Sequence, residues 1–394
     1  YPAYYMTSFP PALVLKGSFG LSPKGRQLRN ALIGVQYVAS FGLIIGATFM
    51  YLQNYYMQNT PLGYDKDEII ITNMNNNIRK SRDAFASQVK SFSGIEEVTY
   101  AEMLLSSQDQ YMGWGRKYRD KDIQFQCLPV EPSFLKVMNV KISEGRDFRE
   151  EDKAKRYGTF VFNERARTEY GLEIGSLIDS MEIVGFMPDV KFASFRTEVT
   201  PMAFFVWGTN NWGNQPNYAY IKVKAGSDLR GAMQHVKTTL QSFDPEYPFN
   251  VRFFDEVLNG LYEKERSLSS LITLFSLIAI FISVVGVFGL VVFDSEYRKK
   301  EIGIRKVLGS TTEEIIVMFN KTYIRILCVC FVLGAPIAGY VVHRWLENFA
   351  YKTPMYWWVY LIAFAIIAVI TILTVTFQNW RAANENPVHS IKNE

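Results

Sequence analysis

Residues able to make or break bonds are few and scattered in this sequence. Cys127, Cys328 and Cys330 are its only thiols and His235, His343 and His389 its only imidazoles. Cys328 and Cys330 stand two apart on an expected helix, where side chains diverge instead of converging on a metal. The histidines are too far apart along the chain for a zinc-type spacing, and all three cysteines read as small apolar residues. No G-x-x-x-x-G-K-[ST], G-x-S-x-G, H-E-x-x-H or C-x-x-C occurs, so the usual devices for cradling nucleotide phosphates, activating a serine or holding zinc are not written here. The many carboxylates between residues 54 and 266 read as solvated surface rather than as a glycosidase pair. What remains is the chemistry of recognition, concentrated in residues 296–315, EYRKKEIGIRKVLGSTTEEI.

In that stretch, residues 297–306 hold five basic side chains against one acid, Glu301. At helical spacing Tyr297, Glu301, Ile304 and Leu308 follow one face, and Arg298, Lys299, Arg305 and Lys306 spread over the others. The helix is expected to stop at Gly309, a residue suited to the C′ position, and to restart at once through a capping box in STTE, Ser310 to Glu313. The block is thus a short helix, a sharp corner and a second helix. Two readings stay open on these residues alone: a basic anchor near anionic headgroups, or a docking surface, which better accounts for the apolar and glycine core EIGI.

The elements that must position this block are hydrophobic. No Asp, Glu, Lys or Arg occurs in residues 30–64, 267–293, 326–342 or 354–380. A run of about 20 apolar residues crosses the hydrocarbon core as a helix, which predicts four transmembrane helices at 31–53, 267–293, 322–342 and 355–378. The segment 1–30 carries Lys16, Lys24, Arg26 and Arg29 and no acid. With the basic loop 294–321 it is expected on the cytoplasmic side, together with the tail 379–394, while the hairpin 343–354 falls outside. Charge is absent from the span centres, which argues against the ion or proton relay of a secondary transporter. Gln36 is expected to hydrogen-bond between helices, Gly42, Gly46, Gly334, Ala338 and Gly339 to allow close packing, and Pro336 to kink the third span. The net charge of +4 is too small and dispersed for a nucleic-acid partner.

Residues 54–266 have ordinary soluble composition. DEIIITNM, GIEEVTYAEML, IQFQCLPV, DSMEIVGFMPDV and AYIKVKA read as strands. SRDAFASQVKSF, EPSFLKVMN and DLRGAMQHVKTTLQSF read as helices, and GTFVFNERARTEYG as a strand running into a helix, with breaks at Gly145, Gly171 and Gly175. Irregular alternation predicts an α+β domain of one or two lobes. Its end, FFDEVLNGLYEKERSLSSLI, reads as one continuous helix entering the second span. The expected fold class is therefore a membrane protein of four transmembrane α-helices with one extracytoplasmic α+β domain inserted between the first and second.

EYRKKEIGIRKVLGSTTEEI resembles the cytoplasmic loop of permeases in the MacB and FtsX family of ABC transporters, where a Glu-Ile-Gly-Ile-Arg-Lys core precedes Leu-Gly. EPSFLKVMNVKISEGRDFREED is similar to the family's extracytoplasmic domain around its Gly-Arg-x-Phe turn. FSLIAIFISVVGVFGL resembles its second span and WRAANENPVHSIKNE its C-terminal tail. The resemblance covers nearly the whole chain. It implies a permease with no catalytic, metal or cofactor site of its own, coupled to a cytoplasmic ABC ATPase subunit that binds ATP and Mg. It further implies that Glu301, Ile302, Gly303, Ile304, Arg305, Lys306 and Gly309 touch that ATPase. In this reading Ile302 and Ile304 anchor in an apolar groove, Gly303 permits close backbone approach and Arg305 forks onto a carboxylate; Glu301 alternatively pairs locally with Arg305.

The other expected partners are membrane lipid and either a missing first half or a second permease copy. YPAYYMTSFPPALVLKGSF resembles the junction of the duplicated eight-span members, and Pro11, Leu15 and Lys16 repeat the spacing of Pro387, Ile391 and Lys392. The expectation is that the chain supplies spans five to eight. Two functions are implied: export of peptide, drug or lipid-linked cargo from the bacterial inner membrane, or mechanotransmission that moves nothing and instead activates an envelope protein, such as a cell-wall hydrolase, or releases lipoproteins.

Overall fold

Alternation of side chains along the strands decides how the middle of the chain is layered. The computed structural model describes residues 23–107, 111–210, 216–297, 304–305 and 308–383, and the chain divides into two compact units. One unit is Met57–Glu265 together with Phe349–Lys352; the other contains four long helices, Pro23–Asn59 (α1), Glu263–Tyr297 (α8), Thr312–Leu346 (α9) and Trp357–Ala383 (α10).

The first unit holds two sheets. β1 (Ile69–Asn73), β2 (Ile95–Ala101), β10 (Tyr218–Val223) and β11 (Val251–Phe253) form an antiparallel sheet in the order β11-β1-β10-β2, with Ile70 opposite Ile221 on one side and Phe253 on the other. Ile70 and Ile221 point to one face, where they meet Phe85 and Val89 of α3 (Arg82–Lys90) and Val236 and Leu240 of α6 (Leu229–Phe243). Ile69, Ile71 and Tyr220 point to the other face, into a second core with Leu128, Phe134, Val161 and Phe204. Side chains one residue apart serve opposite faces because the strand period is two.

The second sheet is mixed. It runs β3 (Gly113–Tyr118), β4 (Lys121–Pro129), β9 (Met202–Val206), β6 (Thr159–Asn163), β8 (Met181–Met187), β5 (Glu144–Gly145), with β7 (Leu177–Ile178) paired to β8. β9 shows the same division of faces: Met202, Phe204 and Val206 enter the shared core, while Ala203 and Phe205 join Trp114, Phe125, Phe160 and Phe162 on the far side. Between β1 and β2 lies α2 (Asn76–Lys80), after β4 comes α4 (Phe134–Val137), after β6 α5 (Glu164–Tyr170), and after β11 α7 (Phe254–Leu261). Gly145, Gly171 and Gly175, expected as breaks, have φ of +82°, +65° and +78°. The helix expected to be continuous into the second span is divided: α7 ends at Leu261, and Tyr262 leaves helical geometry at φ −115° and ψ 15° before α8 begins.

The turn read as GRDF is fixed by charge. Arg146 donates two bonds of 2.8 Å to the carboxylate of Asp152, which is fully buried and also accepts the Arg149 N–H at 2.8 Å. Burial pushes the Asp152 carboxyl up, but the Arg146 and Arg149 bonds outweigh it and hold it below the usual carboxylate range.

The second unit is a multi-pass membrane bundle. Its four helices are long and apolar enough to cross a membrane, each over part of 31–59, 263–289, 312–346 and 357–381. Its centre is aromatic: Phe41 of α1 lies edge-on to Phe331 of α9 at 5.2 Å, and Phe331 lies 5.1 Å from Phe364 of α10. Polar side chains pair between helices, as Tyr37 with Thr371 at 3.0 Å, Ser40 with Ser283 at 2.8 Å and Asn320 with Thr376 at 3.0 Å. Lipid offers no hydrogen bonds, so polar groups in a bundle turn to each other.

The small residues meet the expectation in part: Gly334 and Gly339 make close approaches, Gly339 with a Cβ position 2.8 Å from Tyr360 Oη, and Gly42 and Gly46 do not. Gly334 of α9 packs on Val38, whose Cα lies 3.4 Å from where a Cβ would sit, and a Cβ on Gly34 would lie 3.6 Å from Cys330. A Cβ on Gly42 or Gly46 would meet nothing within 4 Å. Gln36 lies across Gly286, where its Oε1 would be 2.8 Å from a Cβ, and among the described residues its Nε2 has no hydrogen-bond partner.

Candidate functional site

The expected recognition block is described at Ile304, Arg305, Leu308 and Gly309; Glu301, Ile302, Gly303 and Lys306 lie outside the described residues, as does the expected Glu301–Arg305 pair. Ile304 and Arg305 are helical, and the Leu308 N–H donates to the Ile304 carbonyl at 3.0 Å. The helix stops where the sequence places its end. Gly309 has φ +95°, and the Ser310 N–H reaches back five residues to the Arg305 carbonyl at 2.9 Å. This is the six-to-one bond of a Schellman cap, which needs a residue free to adopt positive φ at C′.

The restart is set one residue later than STTE. Thr311, not Ser310, caps α9: its Oγ1 accepts the Glu314 N–H and the Glu314 carboxylate accepts the Thr311 N–H, both at 3.2 Å. The Schellman bond consumes the Ser310 N–H, and the motif S/T-x-x-E matches equally well when moved by one. Ile315 and Phe319 then bury in the bundle core, which ties the corner to α9.

Among the described residues the turn before Gly309 presents two apolar side chains, Ile304 and Leu308, and one cation, Arg305. Ile304 and Leu308, four residues apart on one face, are 57% and 79% exposed. Arg305 directs Nη1 to the Met318 sulfur at 3.2 Å, across the corner. Leu308, and Val317 on the first turns of α9, are exposed apolar residues that the expected docking set did not include. For Leu308 the signal was present in the i, i+4 spacing to Ile304. Among the described residues of the corner, no group is placed to make or break a bond.

The remaining candidate chemical residues are dispersed. Cys127 is buried among the aromatics of the mixed sheet, and burial pushes its thiol well above the usual value. His235 stacks on Phe92 at 5.5 Å and is 3.0 Å from the Gln88 carbonyl; His343 faces Glu347. His389 lies outside the described residues. Among the described residues no group of three metal-ligating side chains converges.

Comparison with known proteins places these units. A family model described as the MacB-like periplasmic core domain matches residues 33–239, and one described as FtsX-like permease C-terminal matches residues 273–387. The macrolide export ATP-binding/permease protein MacB of Chromobacterium violaceum is 23% identical over 230 residues, 56% of this chain and 35% of that protein. MacB of Escherichia coli K12 is 23% identical over 233 residues, again 56% and 35%. The chain thus spans about a third of the length of these relatives. Among solved structures, the periplasmic region of MacB from Actinobacillus actinomycetemcomitans is similar at 14% identity, over 50% of this chain and 94% of that one, with a TM-score of 0.37. Since the first family model alone takes in more than half of the residues, and the second takes in the corner at Gly309 and the helices on either side of it, the chain belongs to the MacB/FtsX permease family.

Proposed function

We propose that the chain is the membrane permease of an ABC transporter, in which a separate cytoplasmic ATPase binds ATP and Mg, docks on the corner at 301–309, and drives movement of the unit Met57–Glu265 to export peptide, drug or lipid-linked cargo. The observation that carries this reading is the paired exposure of Ile304 and Leu308 on a helical turn whose end is fixed by Gly309 and the Thr311–Glu314 box. Exposed apolar side chains held on a rigid element are the material of an interface hot spot. The corner is joined to the bundle through Ile315 and Phe319, so force applied there has a packed path into α9. On the family's example Glu301, Ile302, Gly303 and Lys306 complete the surface, with Arg305 forking onto an acidic group of the ATPase.

The relatives are named for ATP binding and macrolide export, which is consistent with export as the work done. The same stroke also serves a mechanotransmitter. Co-expression with neighbouring cytoplasmic ATPases, followed by reconstitution in nanodiscs, separates the outcomes. Export predicts that a bound ATPase is stimulated by small amphiphilic cargo. Stimulation by an envelope protein alone would transfer the stroke to mechanotransmission, and recovery of the permease with no ATPase would overturn the proposal.

A further inference from the structure

Within the unit Met57–Glu265 and Phe349–Lys352, a cavity of about 210 Å³ opens among side chains that include Tyr111, Gln126, Lys191, Phe195, Thr200 and Tyr351. Its polar lining is largely satisfied internally. Tyr111 Oη accepts the Ser106 N–H and donates to the Phe192 carbonyl at 3.2 Å. Gln126 donates to Thr200 Oγ1 and accepts the Tyr111 N–H, both at 2.8 Å, while Thr197 donates to the Ser194 carbonyl at 3.1 Å. Tyr351 Oη accepts the Val199 N–H at 3.3 Å.

Lys191 is the cation of this wall. Its ammonium lies 5.3 Å from the Phe195 ring centre and 4.8 Å from that of Tyr351, and among the described residues no carboxylate or carbonyl accepts its hydrogens. Glu198, the other charged residue on the wall, is exposed and makes no ion pair with it. Partial burial favours the uncharged amine, so the Lys191 pKa is lowered. Two aromatic faces stabilise the cation, and among the described residues no protein acceptor is placed on its three N–H donors. A bound anion would match them by charge-assisted hydrogen bonds.

We propose that this cavity binds the carboxylate end of a slender single-chain amphiphile, with Lys191 Nζ taking the carboxylate and Phe195, Val199 and Met202 lining its apolar chain. One ammonium matches a monoanion; a phosphate dianion would call for several donors or an arginine fork. The volume falls below the roughly 300 Å³ at which pockets hold drug-sized molecules, so the cavity admits an alkyl chain and excludes a whole macrocycle. This site is independent of the docking reading, because its test reads binding and not ATP turnover.

The test is photo-cross-linking of the full chain in phosphatidylcholine nanodiscs with a diazirine derivative of decanoate, followed by peptide mapping. Labelling is expected within residues 190–202 and on the peptide carrying Tyr351, displaced by decanoate and not by decanol or decyltrimethylammonium. Lys191→Gln should cut labelling by about tenfold, the worth of one charge-assisted bond, and Lys191→Arg should retain it. Ala193→Phe, which keeps the charge but fills the cavity, should also abolish labelling while limited proteolysis stays unchanged. Label confined to the spanning helices, label indifferent to Lys191 and Ala193, or equal displacement by decanol would overturn the assignment.

Discussion

Gly309 and Arg146 are single residues on which local geometry depends. At φ +95°, Gly309→Ala should lower stability by about 1–2 kcal/mol, the cost of a Cβ in the left-handed region, read as a fall in the thermal midpoint of the detergent-purified chain. Gly309→Asn should cost less, because Asn tolerates that region. Arg146→Ala removes both side-chain donors that it places on buried Asp152 and should cost about 2 kcal/mol near neutral pH. The pH dependence follows from the depressed Asp152 carboxyl. Its stabilisation is complete above the ordinary aspartate value and lost as pH falls through the folded-state value. Denaturant titrations of wild type and Arg146→Ala should therefore converge in acid and separate toward neutrality; a constant gap at all pH values would contradict this assignment. The sequence was legible at Gly309, because few residues end a helix so sharply, and off by one at the cap, because STTE and TTEE satisfy the same motif and only the Schellman bond of Ser310 chooses between them.

At the scale of elements, many strands and helices were readable from residue type and bounding turn residues, and several strands were not. DEIIITNM and GTFVFNERARTEYG stand as β1 and as β6 running into α5. β9, MAFFV, is buried along its whole length, as β6 is, and was not read as a strand. β3, GWGRKY, was missed because two glycines weaken its pattern. The division at Tyr262 follows Asn259 and Gly260, poor helix formers that the reading of one continuous helix passed over. Helix contacts depend on which face a small residue occupies, and sequence alone does not fix the face: Gly34 and Gly334 make the approach between α1 and α9 that Gly42 and Gly46 do not. Gly334→Val should cost about 1–3 kcal/mol by overpacking against Val38, seen as a lower unfolding midpoint, while Gly42→Val should leave the midpoint unchanged. Equal losses from the two substitutions would show that the packing of α1 has been misassigned.

For the whole molecule, four spanning helices around one inserted α+β domain were legible because charge-free runs and soluble composition separate so sharply along this chain. The amphiphile cavity was not legible, since its wall joins residues 111, 126, 190–202 and 351, which only the tertiary fold brings together. The account's central claim is that a separate ATPase docks at the corner, where Ile304, Arg305 and Leu308 stand exposed. Ile304→Asp combined with Leu308→Asp should reduce ATPase recovery at least tenfold, as expected when hot-spot residues worth more than about 1.4 kcal/mol are lost. The most direct measurement is co-purification of the ATPase with the Arg305→Glu variant from membranes. The account predicts that the variant inserts normally, with its outer domain folded, yet loses the ATPase; unchanged recovery of the ATPase would contradict it.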